Sequence, residues 1–313
     1  MLDFQITVAG LVVGFVVGLT GMGGGALMTP ILVLLFKVDP LTAVSSDIVA
    51  SMIMKPIGGA VHWRRGTVNR PLVACLAAGS IPAAFLGVLI LSRIDSGAAL
   101  QSHIKLSLGI ALLVVTLGIV IKPLLAGNAA RAEGPQPFVV RPFATVIIGI
   151  VGGLVVGLTS VGSGSLMMIL LLLLYPRLKL SELVGTDLVQ AVPLVTSAAL
   201  GHLIFGDFKL SLSASILLGS VPGIFFGARF SSRAPDYVIR PALIVVLFST
   251  GLKLIGAPNL ALAVVAPLSV LAGAAYAITS HRAAQRASTL APGWAVGPTM
   301  AAAAPDAAAA RLV

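Results

Sequence analysis

Long apolar runs separated by short basic loops recur along this chain of 313 residues, and they constrain its fold more than any other feature. Each run holds about 18 to 25 residues, the length that an α-helix needs to cross the hydrocarbon core of a bilayer. Only 10% of the residues are charged, against about 25% in a soluble domain. A transmembrane β-barrel would instead show alternating segments of about ten residues, and the sequence has none. These observations predict an all-α polytopic membrane protein.

A glycine-rich segment occurs twice, as GLTGMGGGALMT at residues 18–29 and as GLTSVGSGSLMM at residues 157–168. Beyond it, small, polar and turn residues recur in the same order at an offset of 140: Asp47 with Asp187, His62 with His202, Gly66 with Gly206, Pro82 with Pro222. Glycine this dense breaks a helix. Broken helices in matching positions of two repeats indicate a transporter binding site.

The duplication divides the chain into a first repeat at residues 1–121 and a second at 143–254. Each repeat is predicted to hold one glycine-broken helical hairpin followed by three transmembrane helices. The predicted hairpins are 6–36 and 143–175, and the predicted spans are 41–63, 71–91, 98–121, 181–205, 210–228 and 237–254. Residues 122–142 are predicted as a linker, 259–279 as one extra C-terminal helix, and 283–313 as a disordered tail.

Basic residues in the loops indicate how the two repeats are oriented. If each glycine segment is a helical hairpin, each repeat crosses the membrane an odd number of times, and the two halves are inverted relative to each other. Fourteen loop lysines and arginines then lie on one side and four on the other. If each segment is one broken span, the halves are parallel and the distribution is ten against eight. Since basic residues favour the cytoplasm, the sequence predicts inverted repeats, with the N-terminus outside and the linker and C-terminus in the cytoplasm.

The glycine segments are the predicted anion-binding elements. A helix N-terminus offers unpaired N–H groups and a partial positive charge, and glycine lets an oxyanion approach the backbone. Close packing of small residues between helices is the structural alternative, whereas a dinucleotide loop is disfavoured because no strand precedes either segment. The predicted binding residues are Thr20, Gly21, Met22, Gly23, Gly24, Gly25, Thr159, Ser160, Val161, Gly162, Ser163, Gly164 and Ser165.

Lys55 is the remaining candidate for binding an anion. It lies near the middle of span 41–63, and Val195 occupies the equivalent position in the second repeat. At helical spacing it shares one face with Asp47. A buried lysine needs a partner or a bound anion. Lys55 therefore either attracts an anionic substrate or pairs with Asp47.

Other ionisable residues inside the spans are candidates for coupling ions, because charge is costly within a bilayer. Asp47 and Asp187 lie one to two turns inside equivalent helices. They are interpreted either as carboxylates that hydrogen-bond the hairpin or as sites for H⁺ or Na⁺. His62 and His202 fall in the last turn of the same helices, where the helix dipole favours histidine.

The doubled Gly-Leu-Thr-x-x-Gly-x-Gly segment, Ser46-Asp47 with Thr186-Asp187, and His62 with His202 resemble the TauE/SafE family, also called toluene-sulfonate uptake permeases. The resemblance covers about residues 6 to 279. It implies a multi-pass inner-membrane protein that moves sulfite, thiosulfate, sulfonates or related organic anions. The serines at 160, 163 and 165 replace Gly21, Gly24 and Ala26 of the first copy, so the two half-sites are not equivalent.

The sequence therefore predicts a secondary transporter of small oxyanions, with the anion held at the membrane midplane between the two hairpin tips while one half moves against the other. Its partners would be the anion, the lipid bilayer and a coupled H⁺ or Na⁺. Nucleic acid is not expected, because the net charge of +10 lies in short loops as an orientation signal. No metal, cofactor or enzymatic activity is expected, because metal-ligand spacings and a nucleophile signature are lacking. A passive anion channel, or an intramembrane enzyme using Asp47, His62, Asp187 and His202, is the alternative.

Overall fold

The computed structural model describes residues 3–20, 24–64, 66–94, 97–130, 139–164, 166–176, 178, 180–230 and 236–258. Within these ranges the chain forms ten helices and no strand, which confirms the all-α prediction. The helices are α1 Phe4–Thr20, α2 Gly25–Leu34, α3 Pro40–Arg64, α4 Arg70–Arg93, α5 Ala98–Ala130, α6 Pro142–Thr159, α7 Leu166–Leu174, α8 Leu180–Phe205, α9 Leu210–Phe230 and α10 Asp236–Leu254. The predicted extra helix at 259–279 and tail at 283–313 lie outside the described residues.

The helix ends fall within two residues of the predicted hairpins and spans, except at the end of α5. That helix continues to Ala130, so the first nine residues of the predicted linker are helical. The start of α4 is fixed locally, because the Asn69 side chain accepts a hydrogen bond from the Leu72 amide (3.2 Å) and Pro71 follows in the first turn.

Five of the described helices contain stretches long and apolar enough to cross a membrane. These stretches are Arg70–Arg93, Ala98–Ile121, Pro142–Thr159, Glu182–Phe205 and Leu210–Gly227. The chain is thus a multi-pass membrane protein. Helix α3 is not among the five, although it has 25 residues, since Asp47, Lys55 and His62 interrupt its apolar sequence. Helices α2 and α7 have 10 and 9 residues, and at 1.5 Å per residue each is about half of a 30 Å crossing.

The two halves interlock through crossings that bring backbones together. Helix α1 packs along α9, and α4 packs along α6. A Cβ atom on Gly14 would overlap the backbone of Ser220, and one on Gly153 would overlap the backbone of Ser80. Gly14 and Gly153 are equivalent, as are Ser220 and Ser80, so exchange of the halves converts one crossing into the other. Small residues that allow this approach are characteristic of helix packing in membranes.

Two hydrogen bonds that join α3 and α8 to loops of the opposite half follow the same exchange. The Lys209 amide donates to Ser46 Oγ (3.3 Å), and the Asn69 amide donates to Thr186 Oγ1 (3.0 Å). Ser46 and Thr186 directly precede Asp47 and Asp187, and each accepts its bond from the loop of the opposite half. Asn69 and Lys209 are equivalent in the repeat, as are Thr186 and Ser46, so exchange of the halves converts one bond into the other. The orientation of the halves relative to the membrane stays a prediction.

Candidate functional site

The second glycine segment forms a turn of left-handed backbone between α6 and α7. Helix α6 ends at Thr159, and the next residue, Ser160, has φ 61° and donates its amide hydrogen bond to the Val156 carbonyl (2.8 Å). Gly162 and Gly164 have φ 126° and 107°, values that favour glycine over residues with a Cβ atom. The segment therefore reverses the chain just before the N-terminus of α7.

The first glycine segment meets the second at Gly25. Helix α2 begins there, and the carbonyl of Gly24 accepts hydrogen bonds from the Leu27 and Met28 amides (3.0 and 2.9 Å). A Cβ atom on Gly25 would overlap the carbonyl oxygen of Ser160. The two segments are thus in direct contact. Gly21, Met22, Gly23 and Ser165 lie outside the described residues.

Asp47 joins both hairpins through one carboxylate oxygen. Its Oδ2 accepts hydrogen bonds from Thr29 Oγ1 of α2 (2.8 Å) and from Ser160 Oγ at the end of α6 (2.7 Å). The side chain is fully buried. No hydrogen bond reaches Asp47 Oδ1 from the part of the chain that the structure describes. The contact to the hairpins is therefore made with hydroxyl groups rather than with the backbone.

Lys55 reaches the second hairpin two turns further along α3. Its Nζ donates to Ser163 Oγ (2.9 Å) and to the Ser163 carbonyl (3.3 Å). The side chain is 7% exposed, and it is the only buried one among the lysines and arginines whose side chains are described. The ammonium is also attracted electrostatically to Asp187 and Asp47. We refer to Gly25, Lys55, Ser160 and Ser163 as the tip site.

The threonines of the two segments, Thr20 and Thr159, hydrogen-bond to carbonyls of their own helices. Thr20 Oγ1 donates to the Val16 carbonyl (2.8 Å), and Thr159 Oγ1 donates to the Val155 carbonyl (2.6 Å). Each hydroxyl has a single proton, so neither donates toward the tip site in this conformation. Val161 is fully buried and packs in the apolar core.

His202 connects three helices with both of its ring nitrogens. Nε2 lies 2.9 Å from the Gly157 carbonyl of α6, and Nδ1 lies 2.9 Å from Ser45 Oγ of α3. A carbonyl only accepts, so Nε2 carries the proton, and in the neutral ring Nδ1 accepts from the Ser45 hydroxyl. The ring is fully buried. His62, its counterpart, is half-buried and lies 3.0 Å from Thr67 Oγ1.

Replacing His202 with leucine is expected to lower stability in detergent by about 1–3 kcal/mol, because a buried hydroxyl and a buried carbonyl lose their partner. The matched change His62→Leu, at the equivalent position of the other half, should cost less because His62 is half-buried. Thermal denaturation of the two purified variants measures the difference. Equal melting temperatures for the two variants would contradict this account.

Three polar residues of this region were not predicted as site residues. Thr29 lies one helical turn after Gly25, so the two share the face of α2 that meets the second hairpin. Ser45 lies next to the repeated Ser46-Asp47 pair. Gln190 follows Asp187 by one turn on α8, and its Nε2 donates to Ser80 Oγ of α4 (2.7 Å). Asp187 itself is buried on the same helix. Helical spacing from Gly25 and Asp187 is the signal that identifies Thr29 and Gln190.

Comparison with known proteins gives the family of the chain. The family model described as Sulfite exporter TauE/SafE matches residues 6–254. The chain belongs to the TauE/SafE family. The match covers both repeats of this TauE/SafE protein, including Asp47, Lys55 and the two glycine segments.

Curated relatives of this TauE/SafE protein come from Bacillus subtilis (strain 168). The probable membrane transporter protein YjnA is 40% identical over 257 residues, which is 81% of this chain and 100% of that protein. The probable membrane transporter protein YdhB is 24% identical over 243 residues, covering 77% of this chain and 96% of that protein. No solved structure matches the chain.

Proposed function

We propose that this TauE/SafE protein is a secondary transporter of small sulfur-containing or organic oxyanions, of the sulfite, thiosulfate and sulfonate class. The observation that carries the proposal is the buried ammonium of Lys55, hydrogen-bonded to Ser163 in the second glycine segment. A charge inside a membrane is costly and by default functional. Both groups of Ser163 that bind this ammonium are neutral, so an oxyanion would be a stronger partner.

Two helix N-termini add to the positive potential of the tip site. Helix α2 begins at Gly25, in contact with Ser160, and α7 begins at Leu166, three residues after Ser163. The N-terminus of a helix carries roughly half a positive charge and presents free N–H groups. Lys55 and the two termini together would hold an anion without a metal ion.

Alternating access would open the tip site first to one side of the membrane and then to the other. Helices α1 and α9 are interlocked across the halves, as are α4 and α6. We therefore infer that the moving unit combines helices of both halves. The short helices α2 and α7, which carry the two hairpin tips, would open and close the site.

Flux into proteoliposomes tests the proposed function. The purified protein should take up ³⁵S-thiosulfate or ³⁵S-sulfite with saturation, and unlabelled anion trapped inside should accelerate entry of the label by counterflow. Flux that rises linearly with concentration and shows no counterflow would indicate a channel. Chemical conversion of the anion would indicate an enzyme, and absence of flux for every sulfur oxyanion would contradict the proposal.

We further propose that the halves are inverted, with the N-terminus outside and the C-terminus in the cytoplasm. Single cysteines at Arg64 and Lys209 report on this, because both side chains are exposed. Arg64 ends α3, and Lys209 lies in the loop after the equivalent helix α8. With Cys75 replaced by serine, a membrane-impermeant maleimide added to intact cells should label the Lys209 site and not the Arg64 site. Labelling of both sites from the same side would establish parallel halves instead.

A further inference from the structure

Among the residues that the sequence nominated for ion coupling, the structure distinguishes Asp47 from the two histidines. Both ring nitrogens of His202 are occupied by Gly157 and Ser45, so the ring is part of the helix packing. His62 is half-buried near the end of α3. Asp47 differs from both, because it is fully buried between the hairpins and has one oxygen that accepts no hydrogen bond among the described residues.

The two oxygens of Asp47 have different environments. Oδ2 accepts from Thr29 and Ser160, one hydroxyl from each hairpin. Buried polar groups in proteins are nearly always hydrogen-bonded, and an unsatisfied charged oxygen is particularly costly. A proton or a cation bound at Oδ1 would thus lower the free-energy cost of burying this oxygen.

Lys55 favours a proton over a sodium ion at this position. In many transporters, backbone carbonyls of an unwound segment coordinate Na⁺. Here the Lys55 ammonium is already hydrogen-bonded to such a carbonyl, that of Ser163, and it would repel a second cation nearby. A proton on Asp47 adds no ion to the site and needs no set of ligands.

The charged groups around Asp47 are few. On its own helix they are Lys55, His62 and Arg64, and on α8 they are Glu182, Asp187 and His202. Helix α2 carries no titratable residue, and α9 carries only Arg229 in its last turn. On α5, His103 and Lys105 are exposed near the start of the helix. Lys55 is consequently the residue whose charge Asp47 balances most directly.

We propose that Asp47 binds the coupling proton, which travels with the anion held at the tip site. The ionised carboxylate offsets part of the charge of Lys55, which Asp187 also attracts, whereas a protonated one leaves more of that positive charge uncompensated. An anion then becomes its best partner, so the proton strengthens anion binding and, by thermodynamic reciprocity, the anion strengthens proton binding. This inference rests on the proposed function.

Infrared difference spectroscopy on the purified full chain tests the proton site without any substrate. A pH step should produce the carbonyl stretch of a buried carboxylic acid in the wild type, and Asp47→Asn should remove it. The matched control is Asp39→Asn, the same isosteric change at an exposed residue just before α3, which should keep the band. Thr29→Val removes one donor to Oδ2 at nearly constant shape and should shift the pH at which the band appears.

Transport tests the coupling itself. With the membrane potential clamped, an inward proton gradient should drive accumulation of ³⁵S-thiosulfate, which stays fully ionised over the pH range used. Asp47→Asn should lose this response, while Asp39→Asn should keep both the response and counterflow. If the Asp47→Asn variant kept both the proton-driven accumulation and the infrared band of the wild type, the proposal would be overturned. Accumulation driven by a sodium gradient would overturn it as well. A wild type that moves no anion would count against the proposed function, and the infrared band would still decide the proton site.

Discussion

Gly25→Ala is expected to reduce anion uptake to the background of empty liposomes. The added Cβ atom would overlap the carbonyl oxygen of Ser160 and approach its hydroxyl, which Asp47 binds. Backbone cannot move aside as a flexible side chain does, so the two hairpins would be forced apart. Overpacking of this kind costs about 1–3 kcal/mol, and it would displace Ser160 from Asp47. Uptake of ³⁵S-thiosulfate, normalised to the protein reconstituted, measures the effect.

Gly24→Ala is the matched control for this prediction. It adds the same atom one residue earlier, where the nearest neighbours are Met54 Cε at 3.5 Å and Val17 Cγ2 at 3.9 Å, which are ordinary contacts. Its backbone φ of −61° suits alanine. Gly24→Ala should therefore lose much less uptake and stability than Gly25→Ala. Equal losses in both variants would show that the contact between the hairpins is not the cause.

Lys55→Met is expected to weaken anion affinity by about 10- to 100-fold, since a hydrogen bond to a charged group contributes about 1.5–3 kcal/mol. Methionine keeps the length of the side chain and removes its charge. Lys55→Arg should retain part of the affinity, because it preserves the charge with a different geometry. Lys105→Met, at an exposed lysine of α5, should leave the affinity unchanged. Competition of unlabelled anion against ³⁵S-thiosulfate uptake gives the affinities.

A double variant distinguishes substrate binding by Lys55 from simple neutralisation of Asp47. If Lys55 only balances Asp47, Lys55→Met should be destabilised, and Lys55→Met with Asp47→Asn should recover stability and substrate affinity together. If Lys55 binds the anion, the double variant should fold stably and still bind weakly. Wild-type affinity in the double variant would refute a direct role for Lys55.

The positions of the helices were predictable because a membrane leaves a chain few choices. Backbone groups in lipid must be satisfied within a helix, so apolar length and glycine clusters fixed nearly every helix end. The end of α5 was the exception. Gly127-Asn128, within the predicted linker, is typical of a turn, yet the helix passes through it to Ala130. A glycine inside a helix costs only about 1 kcal/mol relative to alanine. The backbone hydrogen bonds of the continued helix outweigh that cost.

The site was predictable in part. Helical spacing placed Asp47 and Lys55 on one face of α3, and the repeat identified both glycine segments. Their partners were not predictable, because Ser160 is 113 residues from Asp47 and Ser163 is 108 residues from Lys55. No local preference specifies such pairs. The sequence did indicate where the halves differ, since Ser160 and Ser163, which replace Gly21 and Gly24, are the residues that bind Asp47 and Lys55.

The interlocked helices have a consequence for biosynthesis. Helix α4 meets its partner α6 after about 50 further residues have been made, but α1 must wait about 190 residues for α9. At about 5–20 residues per second, the second delay is roughly 10–40 seconds. During that interval the glycine face of α1, around Gly10 and Gly14, has no α9 to cover it. The α4–α6 crossing can therefore form in the nascent chain well before the α1–α9 crossing, and α1 is packed later than α4 although it is made earlier.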